Sequence, residues 1–381
     1  MSISQSQLEE EFFWFHSHPE LSFQEVETTK KLKELLEKEG IRVLDLPLKT
    51  GLVAVIEGGK PGKTIALRSD IDALPIVEAT SLNYQSQNLG VMHACGHDFH
   101  LTSLYGAAIA LHEIRKDIKG IVKLIFQPAE EIFSGATHIL ETGILEDVEE
   151  IYGIHCNPSF EVGTVAIGAG NVTAAVDRFR IQIKGSGTHA AHPDEGIDPI
   201  VATSQLISAL QTIISRNINP FSTSLISVTH VEAGTTWNVI PEDAFIEGTV
   251  RTLDASDRAF IKKRIYEVSE YCGKAFNTTV EIDWIAGPPA TNNDFELTNF
   301  AREIAEKNEF TVVSPLDNLG GEDFAFYQEK IKGVFVLIGT DNSHPLHHPQ
   351  FKVNPKALLS TANLLKELAQ SSLERLSERG S

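Results

Sequence analysis

What most restricts this fold is a succession of short apolar runs separated by helical sequence, several of which stop on ionisable residues. The runs cover residues 52–56, 64–68, 121–126 and 151–154. Helical stretches, about 97–114 and 134–140, fall between the second and third runs and between the third and fourth. Strands alternating with helices predict an α/β sheet with parallel pairs. Ser69-Asp70-Ile71-Asp72 follows one run, Gln127-Pro128-Ala129-Glu130-Glu131 follows another, and His155 closes a third. In open α/β sheets, sites gather at the carboxyl ends of strands. Chemistry is expected at that edge.

The chain has 381 residues, more than one hydrophobic core usually serves, so two domains are expected. Residues 9–40 carry one helical periodicity, with Phe12, Phe15, Val26, Leu32, Leu35 and Leu36 as candidate buried positions and Gly40 as its stop. A second module opens near Thr173. It reads as strand 176–184, helix 197–214, strands 225–231 and 244–250, helix 255–272 and strand 279–285. The order β-α-β-β-α-β is that of a ferredoxin-like unit. After Gly287-Pro288-Pro289 the first domain resumes with helix 295–307, strand 334–338 and helix 355–376. The expectation is therefore a three-layer catalytic domain with a mixed sheet, residues 1–172 and 287–381, interrupted by an inserted lid at 173–286.

The net charge of −20 argues against a nucleic-acid partner, which needs a basic face. The first eleven residues lack the basic flank and apolar centre of a signal peptide. No apolar run approaches the ~20 residues that span a bilayer. Three cysteines make no disulfide framework, and a reducing cytoplasm is the expected compartment. Cys156 and Cys272 read as small buried residues. Cys95 stands among polar neighbours and does not.

Between His93 and His100 lie three histidines, Cys95 and Asp98. Imidazole and thiolate are the usual ligands of zinc-like ions, and carboxylates extend the set toward manganese. Capping a helix that starts near Asp98 would account for Asp98 but not for the thiol or the histidines. Glu130-Glu131 also suits a helix start, yet adjacent carboxylates beside a metal can divide the work, one binding and one taking a proton. His155 fits a ligand or a satisfied core histidine equally well. Asp70 and Asp72 can orient an imidazole through its far nitrogen, although Asp72 also fits a plain turn. Gly321-Glu322-Asp323 reads as a helix cap or a site loop. Spacing does not choose between His347 and His348. His16, His18, His112 and His138 lie on expected helices, where packing or surface roles are the simpler reading. In the second module, His189 follows a Gly-rich turn, and Asn238 and Arg251 lie at strand edges. A guanidinium there can hold a carboxylate with two parallel hydrogen bonds.

Arg68-Ser69-Asp70-Ile71-Asp72-Ala73-Leu74-Pro75, Met92-His93-Ala94-Cys95-Gly96-His97-Asp98, Gln127-Pro128-Ala129-Glu130-Glu131 and Leu346-His347-His348-Pro349 together resemble the metal-dependent N-acyl-amino-acid amidohydrolases. That group includes aminoacylases, hippurate hydrolases, auxin-conjugate hydrolases and N-acetyldiaminopimelate deacetylases, within the dinuclear metallo-carboxypeptidase and aminoacylase clan. The match runs from His18-Pro19-Glu20-Leu21 nearly to Phe351. The resemblance implies two divalent ions per subunit, manganese or zinc with cobalt or nickel as alternatives, held by Cys95, His97, Glu131, His155 and His347. Asp70, Asp72 and Asp98 would support them, and Glu130 would be the general base. It also implies a homodimer through the lid, with His189 reaching a neighbouring subunit's site to stabilise the oxyanion. Asn238 and Arg251 would hold the carboxylate of a small N-acyl amino acid. Phe99 stands where the family commonly has a small residue, and Ile132-Phe133 replaces a usual glycine-rich stretch, so the acyl pocket is expected to be narrowed. Two other readings stay open: a dipeptidase or carboxypeptidase with the same ions, and a metal-binding or carboxylate-sensing protein without turnover.

Overall fold

The computed structural model describes residues 3–316, 318–341 and 344–379. The chain forms two compact units, one made of the segment before Thr173, Asn292–Leu316 and the segment from Asp323 on, the other of Thr173–Thr291 with residues 318–322.

The first unit is built on an eight-stranded mixed sheet. In order across the sheet, its strands are Arg42–Val43, Leu52–Glu57, Lys119–Gln127, Lys60–Asp70, Val148–Asn157, Lys332–Gly339, Thr164–Ala166 and Thr311–Val313. The four central strands, Lys119–Gln127 to Lys332–Gly339, run parallel. Their carboxyl ends therefore open on one edge, where Asp70 pairs with Gln127 and Asn157 with Gly339. These strands are buried on both faces, as parallel strands covered by helices must be. Successive side chains serve opposite layers. Leu52, Ala54, Ile65, Leu67, Leu124, Phe126, Val334 and Val336 pack with residues of helices Gln5–Ser17, Val26–Lys38, His97–Glu113, Phe295–Lys307 and Leu358–Arg379. Val53, Ala66, Ile125, Ile151 and Phe335 pack on the other side with Ala136, Ile139, Phe324 and Tyr327. Among the described residues, no helix is long and apolar enough to cross a membrane.

The single periodicity expected over residues 9–40 is two helices, Gln5–Ser17 and Val26–Lys38. Pro19 brings no N–H and disfavours helical backbone at the residue before it. The segment between the helices is structural in its own right. The Glu20 carboxylate accepts from the backbone N–H of Glu27 and Thr28, and Leu21 bridges to Ala73 beside the strand end at Asp70. Val26, expected to be buried, is exposed because it opens the second helix on its solvent side.

The second unit is a four-stranded antiparallel sheet in the order Ser224–Ala233, Asp243–Thr252, Ala175–Lys184, Thr279–Ala286. Helices Pro199–Asn217 and Ala255–Ala275 supply Leu206, Leu210, Ile261 and Ile265 to a core with Phe179, Ile181, Ile246 and Val250. The first helix begins at Pro199, whose missing N–H costs nothing there, and Asp198 accepts from the N–H of Ile200 and Val201. Both helices connect strands that are not neighbours, each skipping one strand of the sheet, and both pack on the same core.

Candidate active site

The run that sequence reading singled out lies at the carboxyl edge of the first unit's sheet. Cys95 precedes the helix His97–Glu113, whose first residue is His97, and Gly96 between them has φ +81°. A Cβ on Gly96 would lie 2.5 Å from Cys156 Sγ, so only glycine allows this close passage. The thiol and the imidazole are thereby brought under the strand end that carries His155. Cys95 Sγ lies 3.4 Å from His155 Nε2.

Each buried imidazole is turned by its other nitrogen. His97 Nδ1 donates to Asp72 Oδ1 at 3.1 Å and lies 3.8 Å from Asp70 Oδ1. His155 Nδ1 donates to the Cys156 carbonyl at 2.8 Å. In both rings Nε2 is left facing the cluster. Asp72 does more than close a turn: its Oδ2 also accepts from Ser22 Oγ at 2.7 Å and from the Glu131 N–H at 3.1 Å.

Glu130 and Glu131 occupy a tight turn after strand Lys119–Gln127. Ala129 adopts φ +53°, and its N–H donates to the buried Glu25 carboxylate at 2.9 Å. Glu130 Oε2 and Glu131 Oε1 approach His97 Nε2 to 3.9 and 3.8 Å. His347 arrives from the far end of the sequence, held by its N–H to the Ala94 carbonyl, and its Nε2 is 3.5 Å from Glu131 Oε1. His348 instead stacks on His344 and accepts from the Gln350 N–H. Four separated segments thus deliver one cluster. The ligand atoms of Cys95, His97 and His155 lie within 4.8 Å of one another, as do those of Cys95, Glu131 and His347, and those of His97, Glu130 and Glu131.

These donors fit divalent ions. His97 Nε2 and Glu131 Oε1 are buried with no hydrogen-bond partner, a costly state for a protein interior. Without a cation the electrostatics are one-sided. Burial, with Glu131 and Glu130 alongside, pushes the Cys95 thiol well above its usual range. Burial opposes a charge on His97, but Asp70 and the Asp72 hydrogen bond outweigh it and raise the imidazole to about 10. Burial and the neighbouring His100 keep His155 neutral, the form a ligand needs. A cation would replace the protons this cluster otherwise retains.

The other expected residues fall elsewhere. Asp98 is not the helix cap, which is Gly96. Its carboxylate accepts from the Phe99 N–H and pairs with His16 Nδ1 at 2.6 Å. His189, Asn238 and Arg251 belong to the second unit. There His189 pairs with Val239 across a two-stranded ladder, beside Asn238, whose carbonyl accepts from the Ala190 N–H. Arg251 lies on strand Asp243–Thr252, where its Nη1 donates to the Val250 carbonyl at 3.2 Å and to Thr249 Oγ1.

Sequence reading missed the layer behind the cluster. Arg68 is fully buried, donating from Nη1 to Asp70 at 2.7 Å, from Nη2 to Asp323 at 2.8 Å and from Nε to Gln127 at 2.9 Å. Asp323 also accepts from Gln127 Nε2 and from the Ala136 N–H near the start of helix Gly135–Glu141. The ambiguous Gly321-Glu322-Asp323 motif is thus a buried anchor at Asp323. A charged residue closing the otherwise apolar run 64–68 was the available sign of Arg68.

A family model described as peptidase family M20/M25/M40 matches residues 66–371. An N-acetylcysteine deacetylase of Bacillus subtilis is 47% identical over 362 residues, covering 95% of each chain. A second Bacillus subtilis protein, an N-acetyl-L-cysteine deacetylase, is 46% identical over 359 residues, covering 94% of this chain and 86% of its own. A solved Bacillus subtilis structure, described as a dinuclear metal binding peptidase from the M20 family, superposes with a TM-score of 0.89 at 44% identity. It covers 97% of this chain and 98% of its own. The chain is a hydrolase and belongs to peptidase family M20/M25/M40.

Proposed function

We propose that this hydrolase cuts the amide bond of N-acyl amino acids, with N-acetylcysteine the first candidate substrate. The observation that carries the reading is the cluster of Cys95, His97, Glu130, Glu131, His155 and His347, with two buried donor atoms left unpartnered. The deacetylase relatives supply the substrate class. Cys95, His97, Glu131, His155 and His347 would hold two divalent ions, manganese or zinc with cobalt or nickel as alternatives. The ions would polarise the scissile carbonyl and acidify the attacking water.

This chain's own residues do the rest. Glu130 takes the proton from the attacking water and returns it to the leaving nitrogen. Asp72 and the Cys156 carbonyl hold the two buried imidazoles in the tautomer that presents Nε2. We assign the second unit as a ferredoxin-like lid, residues 173–286 by the sequence reading, that joins two subunits. His189 from one subunit then donates to the carbonyl oxygen at the other's site as negative charge grows on it, a contribution worth about 10²–10³ in rate. Asn238 and Arg251 hold the substrate carboxylate.

Initial rates on N-acetyl and N-benzoyl amino acids, set against unblocked dipeptides and read with each metal in turn, test the reading. Preference for the N-acyl compounds supports it. Preference for free dipeptides would replace it with the peptidase reading, and no turnover with any metal would leave a binding protein. The shared site has its own test. Mixing Glu130→Gln and His189→Ala subunits, each inactive alone, should restore about a quarter of wild-type activity, from one intact site in each hybrid dimer. No recovery would confine His189 to its own subunit.

A further inference from the structure

Asp70 is wholly buried and has both oxygens engaged. Oδ2 accepts from Arg68 Nη1 at 2.7 Å, and Oδ1 lies 2.6 Å from His100 Nδ1. Across the same ring, His100 Nε2 accepts from the backbone N–H of Cys156 at 2.8 Å. An imidazole nitrogen that accepts carries no proton, so the His100 proton sits on Nδ1 and donates to Asp70. Both nitrogens are spent. His100 therefore has no lone pair for an ion, although it lies among ligating atom types: its nitrogens fall within 4.8 Å of donors on His155 and Cys156.

What His100 joins is more informative. Its ring centroid is 4.6 Å from that of His155 and 5.4 Å from that of His97. Cys156 gives its N–H to His100, and its carbonyl accepts from His155 Nδ1. One residue is thus held from one side while it orients a histidine on the other. Asp70, at the second end of the bridge, faces His97 Nδ1 and is pinned through Arg68 to Gln127 and Asp323. We propose that His100 is a positioning residue: a neutral bridge that locks the strand end bearing His155 to the carboxylate facing His97. Nε2 of both histidines is thereby held toward a common space. The assignment rests on the metal reading of the site.

The test uses cobalt(II) alone on the full-length protein, followed by its d–d and thiolate charge-transfer absorption and by competition with a chelator. His100→Asn keeps an amide N–H near the Nδ1 position and removes the acceptor for Cys156. His100→Gln places an amide oxygen near Nε2 and gives up the donor to Asp70. Each variant breaks one end of the bridge. The expected result for both is ~10–100-fold weaker cobalt retention, the usual effect of losing a group that orients a ligand. An altered d–d envelope, an unchanged number of ions and a larger fall in kcat than rise in KM should accompany it. Wild-type affinity and spectrum in both variants would overturn the bridge. Outright loss of one ion would make His100 a ligand and overturn it as well. Failure of the wild type to take up cobalt would defeat the metal reading itself, a separate outcome. Should neither variant fold, ring ¹⁵N shifts of the wild type decide: His100 Nε2 must be unprotonated and must keep its shift when cobalt-free protein is titrated with zinc. A protonated Nε2, or one that moves as a ligating nitrogen does, would refute the assignment.

Discussion

Replacing Gly96 with alanine tests how the cluster is assembled. The residue sits between Cys95 and His97 at φ +81°, where a side chain costs about 1–2 kcal/mol. The added Cβ would also meet Cys156 Sγ at 2.5 Å, Val353 Cγ2 at 3.4 Å and Cys156 Cβ at 3.5 Å. The sulfur contact is far inside van der Waals range, and overpacking of this kind costs about 1–3 kcal/mol. Gly96→Ala should therefore destabilise the metal-free protein by about 2–5 kcal/mol, the sum of the two terms. The terms separate in a double-mutant cycle. In a Cys156→Ala background the clash is gone, and Gly96→Ala should cost only the backbone share, about 1–2 kcal/mol. Urea unfolding of the four proteins measures both numbers, and cobalt absorption reports whether Cys95 still reaches the cluster. An equal cost in both backgrounds, or a cost below about 1 kcal/mol in the wild type, would refute the packing argument.

Two further outcomes follow from the hydrogen bonds behind the cluster. Asp72→Ala orphans His97 Nδ1, the Glu131 N–H and Ser22 Oγ together, so metal affinity by chelator competition should fall ~10–100-fold; retention at the wild-type level would show that Asp72 is dispensable. Burial opposes charging His16, but its hydrogen bonds to Asp98 and Glu78 win and raise it to about 9 from an ordinary 6.5. A raised folded-state pKa stabilises fully below the unfolded value and is lost as pH rises through the folded one. In the metal-free protein the share of stability that His16 contributes, up to about 3 kcal/mol, should thus be lost between pH 6.5 and 9. His16→Gln should remove that share of the slope and leave the share of His97, and an unchanged slope would show that His16 contributes nothing.

The edge that carries the cluster was readable because it depends on local pattern: an apolar run ending in carboxylates or a histidine marks a strand and its exit. Glu130, Glu131 and His155 lie within a few residues of such an ending, whereas Cys95 and His97 stood out as a dense run of ligand types before a helix. His347 needed the family resemblance, since His347 and His348 are equivalent by spacing and only the approach to Glu131 separates them. The supporting layer was not readable. Arg68 finds Asp323 across 255 positions, and Gln127 finds the same carboxylate across 196, distances at which a single sequence carries no pairing information. His16 was read as a packing or surface residue; it is buried, and its partners Asp98 and Glu78 could not be named. The two N-terminal helices merged in the reading because each carries helical spacing of its own and the break at Pro19 was not weighed. The short strands Arg42–Val43, Thr164–Ala166 and Thr311–Val313 were missed because two or three residues leave too little alternation to register.

The central claim is that one carboxylate of the Glu130-Glu131 pair moves a proton while the other helps hold the ions. Glu130→Gln isolates it, since the amide keeps the size of the side chain and removes its basicity. Metal content and single-turnover hydrolysis of the best N-acyl amino acid should be measured on the same loaded sample. The variant should bind two ions with wild-type affinity and turn over more slowly by about 10²–10⁴. A loaded Glu130→Gln protein that turns over within a few-fold of wild type would contradict it.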